Sequence, residues 1–510
     1  MKKYIYTIFI ATTASIFSAC RDEADDVVSY GQNDYLNFAA AEESYEAQFK
    51  ALWTALNCNY AIWDYEEAHG LDWDKVYKKY LPTMRDFDSR IEKGKTISDD
   101  EFQRIYDGIL NPLHDGHTYI QVKNLSTGSY LDFYPASERN SNRVDYYYSD
   151  VPRLSYYLSA NAGENQILLY DSVSTGPSAF TTNEIRKALE QIDSRVNELE
   201  SKTSRSDLDE YFLGKYLDAR KELNDYVEWG STSVEGYNSL METCEKLDIA
   251  MNEYDIDSAD EIDLKLAVFS DGIVYFSLSA FDLYPYMTGT IGGSFCSDSL
   301  SECVFNLVDN WVYYVQDLHQ NRMLKGVIID VRNNGGGYSD DYQYVLGSLL
   351  PAGGHKYGYH RVKTGIGRYD YSPLTPDCMT TLDVGQSAIS EPIVVLANCN
   401  SVSMAEQTCL GAKELSNARV IGMPTWGAYS PIYDDPSVYS FTYASVFGVE
   451  NETPFYAYIP CSAYFNSEKE IREGVGVTPD IKVELDEDLL YETGRDTQLE
   501  RALKYIRTGN

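Results

Sequence analysis

"VVLANCNSVSMAEQTCLGAKEL", Val394 to Leu415, reads as two elements joined by a bend. The opening "VVLA" is an uninterrupted apolar run with β-branched residues, the pattern of a strand buried on both faces. From Met404 the sequence reads as a helix, and the bend before it holds Asn398, Asn400, Ser401 and Ser403. The same grammar recurs around this stretch. "KGVIIDV" (Lys325–Val331) and "ARVIG" (Ala418–Gly422) are short apolar strands, "LAVFSDGIVYFSLSAF" (Leu266–Phe281) is strand-like, and "LSECVFNLVDNWVYYVQDLHQ" (Leu300–Gln320) is helical. Strands and helices in alternation imply parallel pairing with helices covering the faces, an α/β core over residues 256–485 followed by a C-terminal helix over 486–510.

The rest of the chain divides by pattern. Residues 36–117 read as a helical N-terminal domain: Glu43–Met84 carries apolar residues at helical spacing, and "SDDEFQRIYDGIL" (Ser98–Leu110) opens with a capping signal. Residues 118–180 turn extended and Tyr-rich. Residues 181–255 become long, charged and helical, an insert with two readings, a spacer or a partner-binding arm. At 510 residues the chain is long enough for several domains and a cleft between them.

A formal charge of −37 argues against nucleic acid as a partner, since phosphate contacts need clustered Lys and Arg. The first residues, "MKKYIYTIFIATTASIFSAC", have the short basic region, apolar stretch and small residues of a signal peptide over 1–20. "FSAC" resembles the lipobox of bacterial lipoproteins, which implies lipidation at Cys20 and a cell-envelope protein on the outer membrane, facing the periplasm or the surface, with an ordinary secretory signal cut nearby as the alternative; residues 21–35, opening "RDEADD", read as an acidic tether. The other cysteines are scattered singly and suggest neither a disulfide framework nor a metal site, although Cys296 and Cys303 are near enough in sequence to pair.

Three stretches carry candidate chemistry. "NPLHDGHTYI" (Asn111–Ile120) presents His117 in a turn, where an imidazole serves as a base near neutral pH; the His114-x-x-His117 spacing lacks the companion ligands a metal needs. "KGVIIDVRNNGGGYSDD" (Lys325–Asp341) runs a buried strand into Gly335, Gly336 and Gly337, which frees backbone N–H groups to approach a ligand. In the third stretch, Ser403 and Glu406 have the spacing of a capping box, and a serine at a helix N-terminus is equally well placed to act as a nucleophile beside N–H donors.

The order of these segments resembles the C-terminal processing peptidase family of serine proteases over roughly Ser44 to Ile506, with the insert set aside. The strand ending "D-[LV]-R-x-N-x-G-G" corresponds to Asp330–Gly336, and "SVSMAE" to the motif whose second serine is the nucleophile. The resemblance implies Ser403 as nucleophile, Glu406 and Thr425 as supporting residues, and a fold shared with ClpP and crotonase. Where the bacterial processing branch places its lysine base, "GMPTWGAYS" has Ala428. The branch typified by the core of tricorn protease instead takes a histidine from a "DGH" turn and a glutamate near "G-V-x-P-D", which implies His117 as base and Glu473 as its orienting carboxylate. Gly335, Gly336 and Met404 are then the expected oxyanion donors. The activity implied is peptide or protein hydrolysis without metal or organic cofactor. A non-catalytic peptide- or ligand-binding lipoprotein on the same scaffold is the alternative.

Overall fold

The computed structural model describes residues 38–140, 263–287, 299–381, 388–432 and 445–510, with shorter stretches such as 167–174 between them. The expected leader and tether, Cys20 included, and most of the expected insert lie outside the described residues, as does Cys296. The chain divides into two compact units.

The first unit takes in residues up to Arg139 and the segments His360–Thr375 and Ser430–Tyr464. Its helices are α1 (Tyr45–Asn59), α2 (Trp63–Ala68), α3 (Trp73–Glu92) and α4 (Asp99–Leu110). The sequence marks their starts: Ser44, Asp72 and Ser98 each hold extended backbone and accept a main-chain N–H on the side chain, from Ala47, Lys75 and Glu101. The helices close on three buried indoles. Trp53 stacks on Trp73 with centroids 6.1 Å apart, and Trp63 lies 4.9 Å from Trp73. Each indole N–H finds a carbonyl, on Trp73, Leu56 and Trp53, so the aromatic core leaves no indole donor unpaired. Arg361 and Arg368, from the returning segment, pair with Asp64 and Asp74 on the helices. Strands β1 (Tyr119–Lys123) and β2 (Tyr130–Phe133) form an antiparallel sheet with Phe455–Tyr458 and Val446–Phe447. The unit therefore runs past residue 117 and recruits distant chain, because the β1 partner strand comes from more than 300 residues away.

The second unit holds Asn140–Tyr359, Pro376–Tyr429 and Phe465–Asn510. Its centre is a seven-stranded sheet of β3 (Ile167–Ser174), β4 (Asp263–Phe269), β5 (Ile273–Leu278), β6 (Gly326–Asp330), β7 (Ile393–Ala397), β8 (Ala418–Gly422) and β9 (Ile481–Lys482), lying side by side in chain order. From β5 to β9 the pairs are parallel, whereas β3/β4 and β4/β5 are antiparallel. The strand-like run Leu266–Phe281 is thus a hairpin, turned at Gly272, whose φ of +87° only glycine adopts freely.

Strands β6 and β7 are buried at every position, as apolar runs without alternation require. Helix α5 (Ser299–Gln320) packs on β3, β4 and β5, with Trp311 stacked 4.9 Å from Phe276. Helix α7 (Thr497–Thr508) covers the other face, where Leu499, Leu503 and Ile506 meet Tyr275, Ile328, Val394 and Ile421. Tyr275 and Phe276 point to opposite faces by strand periodicity, so both faces are covered. Helix α6 (Met404–Lys413) leaves the C-terminal end of β7.

One ion cluster fixes α7 to the strand ends. Arg332, just beyond β6, is buried and donates to Asp330, Asp496 and Gln498. Asp496 also caps α7, and Tyr275 donates to Asp330. Removing the cation leaves two carboxylates buried without their partner. Arg332→Leu is expected to cost about 3–5 kcal/mol, read as a lower urea midpoint with early loss of amide protection over 497–508; an unchanged midpoint would remove the anchoring role.

Candidate active site

Ser403 stands where β7 gives way to α6. Its backbone has φ +54° and ψ −115°, far from the extended caps at Ser44 (φ −161°) and Asp72 (φ −104°). A non-glycine residue in that region is strained by about 1–3 kcal/mol, and such strain persists only where the surroundings enforce it. A serine on a sharp strand-to-helix turn is also the way a nucleophilic hydroxyl is thrust outward from a sheet. Ser403 is half-buried, between a fully buried strand and a nearly fully buried helix.

The enforcement is visible on three sides. Glu406 Oε2 accepts from the Ser403 N–H at 3.2 Å, the carboxylate half of the capping box. Val402 N donates to Asn334 O at 2.9 Å, tying the turn to the glycine segment after β6. Gly336 (φ +96°) lies so close that a Cβ built on it would stand 2.5 Å from Ser403 Cβ and 3.1 Å from Met404 N. Only glycine permits that approach.

Glu406 does more than cap. It is fully buried, and Thr425 Oγ1 (2.5 Å) and Gly427 N (2.7 Å) donate to Oε1 while Ala428 N (2.7 Å) shares Oε2 with Ser403. Burial pushes the carboxyl up to about 7, against the pull of these hydrogen bonds. Four donors and no acceptor face its oxygens, so the ionised form is the one the site is built around. Thr425 Oγ1 in turn accepts from Val477 N at 2.7 Å, and Gly427 O accepts from Gly474 N at 2.9 Å. Glu473 follows: it is fully buried rather than solvated, with Tyr429 N donating to its carboxylate at 3.1 Å. Ser403, Met404, Gly336, Glu406, Thr425 and Glu473 are therefore members of one bonded framework in the second unit.

The backbone donors differ among themselves. Met404 is the first residue of α6, and its N–H has no acceptor within the helix. The Gly336 N–H donates to Asn334 Oδ1 at 2.8 Å. Asn334 Nδ2 reaches Leu278 O, and Asn333 (φ +55°) is locked to Asn398, with Asn333 N donating to Asn398 Oδ1 at 3.0 Å. These asparagines were missed as site-shaping residues, though Asn is the side chain that best tolerates positive φ and folds back on the main chain.

His117 belongs to the first unit. Its turn is shaped by buried Asp115, whose Oδ1 accepts from His117 N and Thr118 Oγ1, both at 2.9 Å. Arg139 donates to the carbonyls of Leu113 and His114. Desolvation pushes the His117 ring down to about 4, leaving it neutral at physiological pH. Its Nδ1 is buried with no hydrogen-bond partner among the described residues. His114 is engaged otherwise, its Nδ1 2.6 Å from buried Glu66. Among the described residues no group of three or more His, Cys, Asp or Glu side chains is placed to hold a metal.

Residues 304–483 match peptidase family S41. The matched stretch contains Gly335, Gly336, Ser403, Met404, Glu406, Thr425 and Glu473; His117 precedes it. The fold is similar to that of a putative peptidase from Parabacteroides merdae, 17% identical with a TM-score of 0.50, covering 92% of this chain and 98% of that one. Weaker similarities are to mature CPAF complexed with lactacystin (11% identity, TM-score 0.45, 91% and 98% covered) and to a putative S41 protease from Bacteroides fragilis (16%, 0.33, 51% and 61%). No curated protein matches the sequence. The expected α/β core with a helical N-terminal region is the fold of the chain, and the S41 match falls within the core.

Because Glu406 meets donors only, an amide in its place turns an N–H toward another N–H. Glu406→Gln is expected to cost about 2–4 kcal/mol and to loosen the turn at Ser403, measured by chemical denaturation and by amide exchange at residues 402–404 and 425–428. Wild-type stability and exchange in that variant would show the carboxylate to be dispensable.

Proposed function

We propose that the protein is an extracytoplasmic serine endopeptidase, held to the outer membrane by lipid at Cys20. The observation that carries the peptidase reading is the strained Ser403 turn, held by a buried carboxylate beside a glycine backbone, inside the stretch that matches an S41 peptidase. The tricorn-like assignment rests on the sequence resemblance: Ala428 is buried where the other branch has its lysine, and "DGH" and "EGVGVTPD" supply His117 and Glu473. The membrane placement rests on the N-terminal sequence alone.

In this reading Ser403 Oγ attacks the scissile carbonyl carbon as His117 removes its proton, forming a tetrahedral oxyanion. The Met404 N–H and the Gly335–Gly336 backbone face the developing charge; Gly336 contributes its own N–H once Asn334 releases it. Collapse expels the amine, which takes the proton from His117 and leaves an acyl-serine. Water, deprotonated by His117, then releases the acid and restores Ser403. Glu473 holds the imidazole tautomer. Glu406 and Thr425 keep the serine turn in place.

Two properties support His117 as base. Its ring is neutral, and its Nδ1 is a buried group still owed a partner, which an orienting carboxylate would supply.

A fluorophosphonate probe is expected to label the wild-type protein at Ser403, and Ser403→Ala to abolish both labelling and peptide cleavage. His117→Ala is expected to lower turnover on the order of a million-fold. Absence of labelling and cleavage in a folded wild-type protein would favour the binding-protein alternative.

The pH profile follows from the direction of the His117 shift. A base must be unprotonated, so kcat/KM rises with pH through the His117 pKa; with Nδ1 unpartnered, burial puts that acid limb below the 6.5 of free imidazole, toward about 4, and a carboxylate bound at Nδ1 moves it back up toward 6.5. The stability term has the same sign: the unfolded chain protonates first, so the contribution is complete above about 6.5 and is lost as pH falls toward 4. An acid limb at or above 6.5 that disappears in His117→Ala would show that His117 is not held in the desolvated state.

A further inference from the structure

The turn that carries His117 is held by a buried carboxylate to which the peptidase reading gives no part. Glu66, on α2, is fully buried, and its oxygens meet three donors: the Tyr60 O–H at 2.6 Å and His114 N at 2.8 Å reach Oε1, and His114 Nδ1 lies 2.6 Å from Oε2. A carboxylate only accepts, so the proton of the last bond sits on Nδ1. The Tyr60 oxygen in turn accepts from Asp115 N at 3.3 Å.

These bonds differ in reach from those inside the turn. Asp115 accepts from His117 N and Thr118 Oγ1, close along the chain, so its bonds fold the turn without fixing where the folded turn stands. Longer bonds do that. Arg139 donates to the carbonyls of Leu113 and His114, while Glu66 takes His114 twice and Asp115 through Tyr60. Glu66 is itself seated on the indole core, one helical turn from Trp63, whose ring centroid lies 4.9 Å from those of both Tyr60 and Trp73. Core, carboxylate and turn all belong to the first unit.

The Nδ1 of His117 is buried with no hydrogen-bond partner among the described residues, so the stance of the imidazole is inherited from its main chain and the packing around it. That main chain is bound in series: His117 N donates to Asp115, and Asp115 N donates to Tyr60. A shift of the anchor at His114 is therefore passed along the turn to the ring.

Resting on the assignment of His117 as base, we propose that Glu66 is a positioning residue for the reaction: through His114 and the Tyr60 hydroxyl it holds the turn that aims the His117 imidazole. A carboxylate costs more to bury than a neutral tie, and its convergent bonds keep the turn in one register. The helical N-terminal region then has a stated part in catalysis, as the foundation on which the base stands.

The test compares loss with rescue. Glu66→Leu is expected to lower kcat on a fluorogenic peptide about a hundredfold, the cost of a misplacement of about 1 Å, with KM held within about twofold because Glu66 touches no substrate. Glu66→Gln is expected to recover most of that loss: its amide oxygen takes the Tyr60 O–H and the His114 N–H, and the His114 ring changes tautomer to accept the amide N–H on Nδ1. The chain has six histidines, so spectra of isotope-labelled imidazoles are tractable; the His117 signals are expected to shift in Glu66→Leu and to return in Glu66→Gln. If Glu66→Leu does not fold, His114→Leu and His114→Asn decide the matter without touching the buried acid, the Asn amide donating where Nδ1 does. An unchanged kcat in folded Glu66→Leu or His114→Leu, a loss carried by KM, a folded Glu66→Gln no better than Glu66→Leu, or unmoved His117 signals would each overturn the positioning role, while wild-type labelling and the loss in His117→Ala leave the peptidase reading intact. A wild type that neither labels nor cleaves, or a His117→Ala variant that stays active, removes the base assignment and this inference with it.

Discussion

The carboxylate of Glu406 is the group on which the second unit's site depends. It is fully buried, and it is made tolerable by four donors that come from three separate places: the Ser403 turn, the Thr425 hydroxyl and the two amides after Trp426. A charge in that setting is far more demanding than a neutral cap, since every lost donor leaves part of a buried charge unsatisfied. The consequence is mechanical. The N-terminus of α6 cannot drift from the 425–428 turn without exposing the carboxylate to an apolar interior, so the serine's strained backbone is held by electrostatics as well as by packing.

The glycine loop works on the same residue from the opposite side. Gly336 meets Ser403 at a distance no side chain would allow, and its own amide is folded back onto Asn334. Such a loop is closed by short local bonds, Asn334 to Gly336 and Asn333 to Asn398, rather than by burial of apolar area. Local bonds of this kind exchange partners at small cost, because a ligand oxygen satisfies the Gly336 N–H as well as an asparagine oxygen does. The rigid and the adaptable sides of the turn are therefore different in kind: a buried charge under the helix, and a replaceable hydrogen bond in the loop.

Much of this was legible in the sequence where periodicity and caps carry the signal. Strands β6 and β7 announce themselves as apolar runs because both faces are buried, α1 by apolar residues at helical spacing, and α4 because Ser98 caps it. The hairpin at Gly272 was less visible, since β4 and β5 are both apolar and a short turn hardly interrupts the run. The helices of the first unit were legible, but its recruitment of distant chain was not: pairing of β1 with Phe455–Tyr458 is a contact between segments more than 300 residues apart, and nothing local encodes it. At the site, Ser403, Gly336 and Glu406 stand out by motif. The asparagines of the two bends do not, because their function is to shape the main chain, which single residues do not advertise.

Glu473 illustrates how burial changes what a charge is for. The sequence resemblance singles it out as an orienting carboxylate, and in the structure it is fully buried with the Tyr429 N–H donating to it. Tyr429 follows Ala428, whose own N–H goes to Glu406. Two buried carboxylates thus draw on consecutive amides of one short turn, which ties Glu406 and Glu473 to the same piece of main chain. Under the reading proposed above, with Ala428 where the resembled branch has its lysine, the base is assigned to His117, whose imidazole burial keeps neutral.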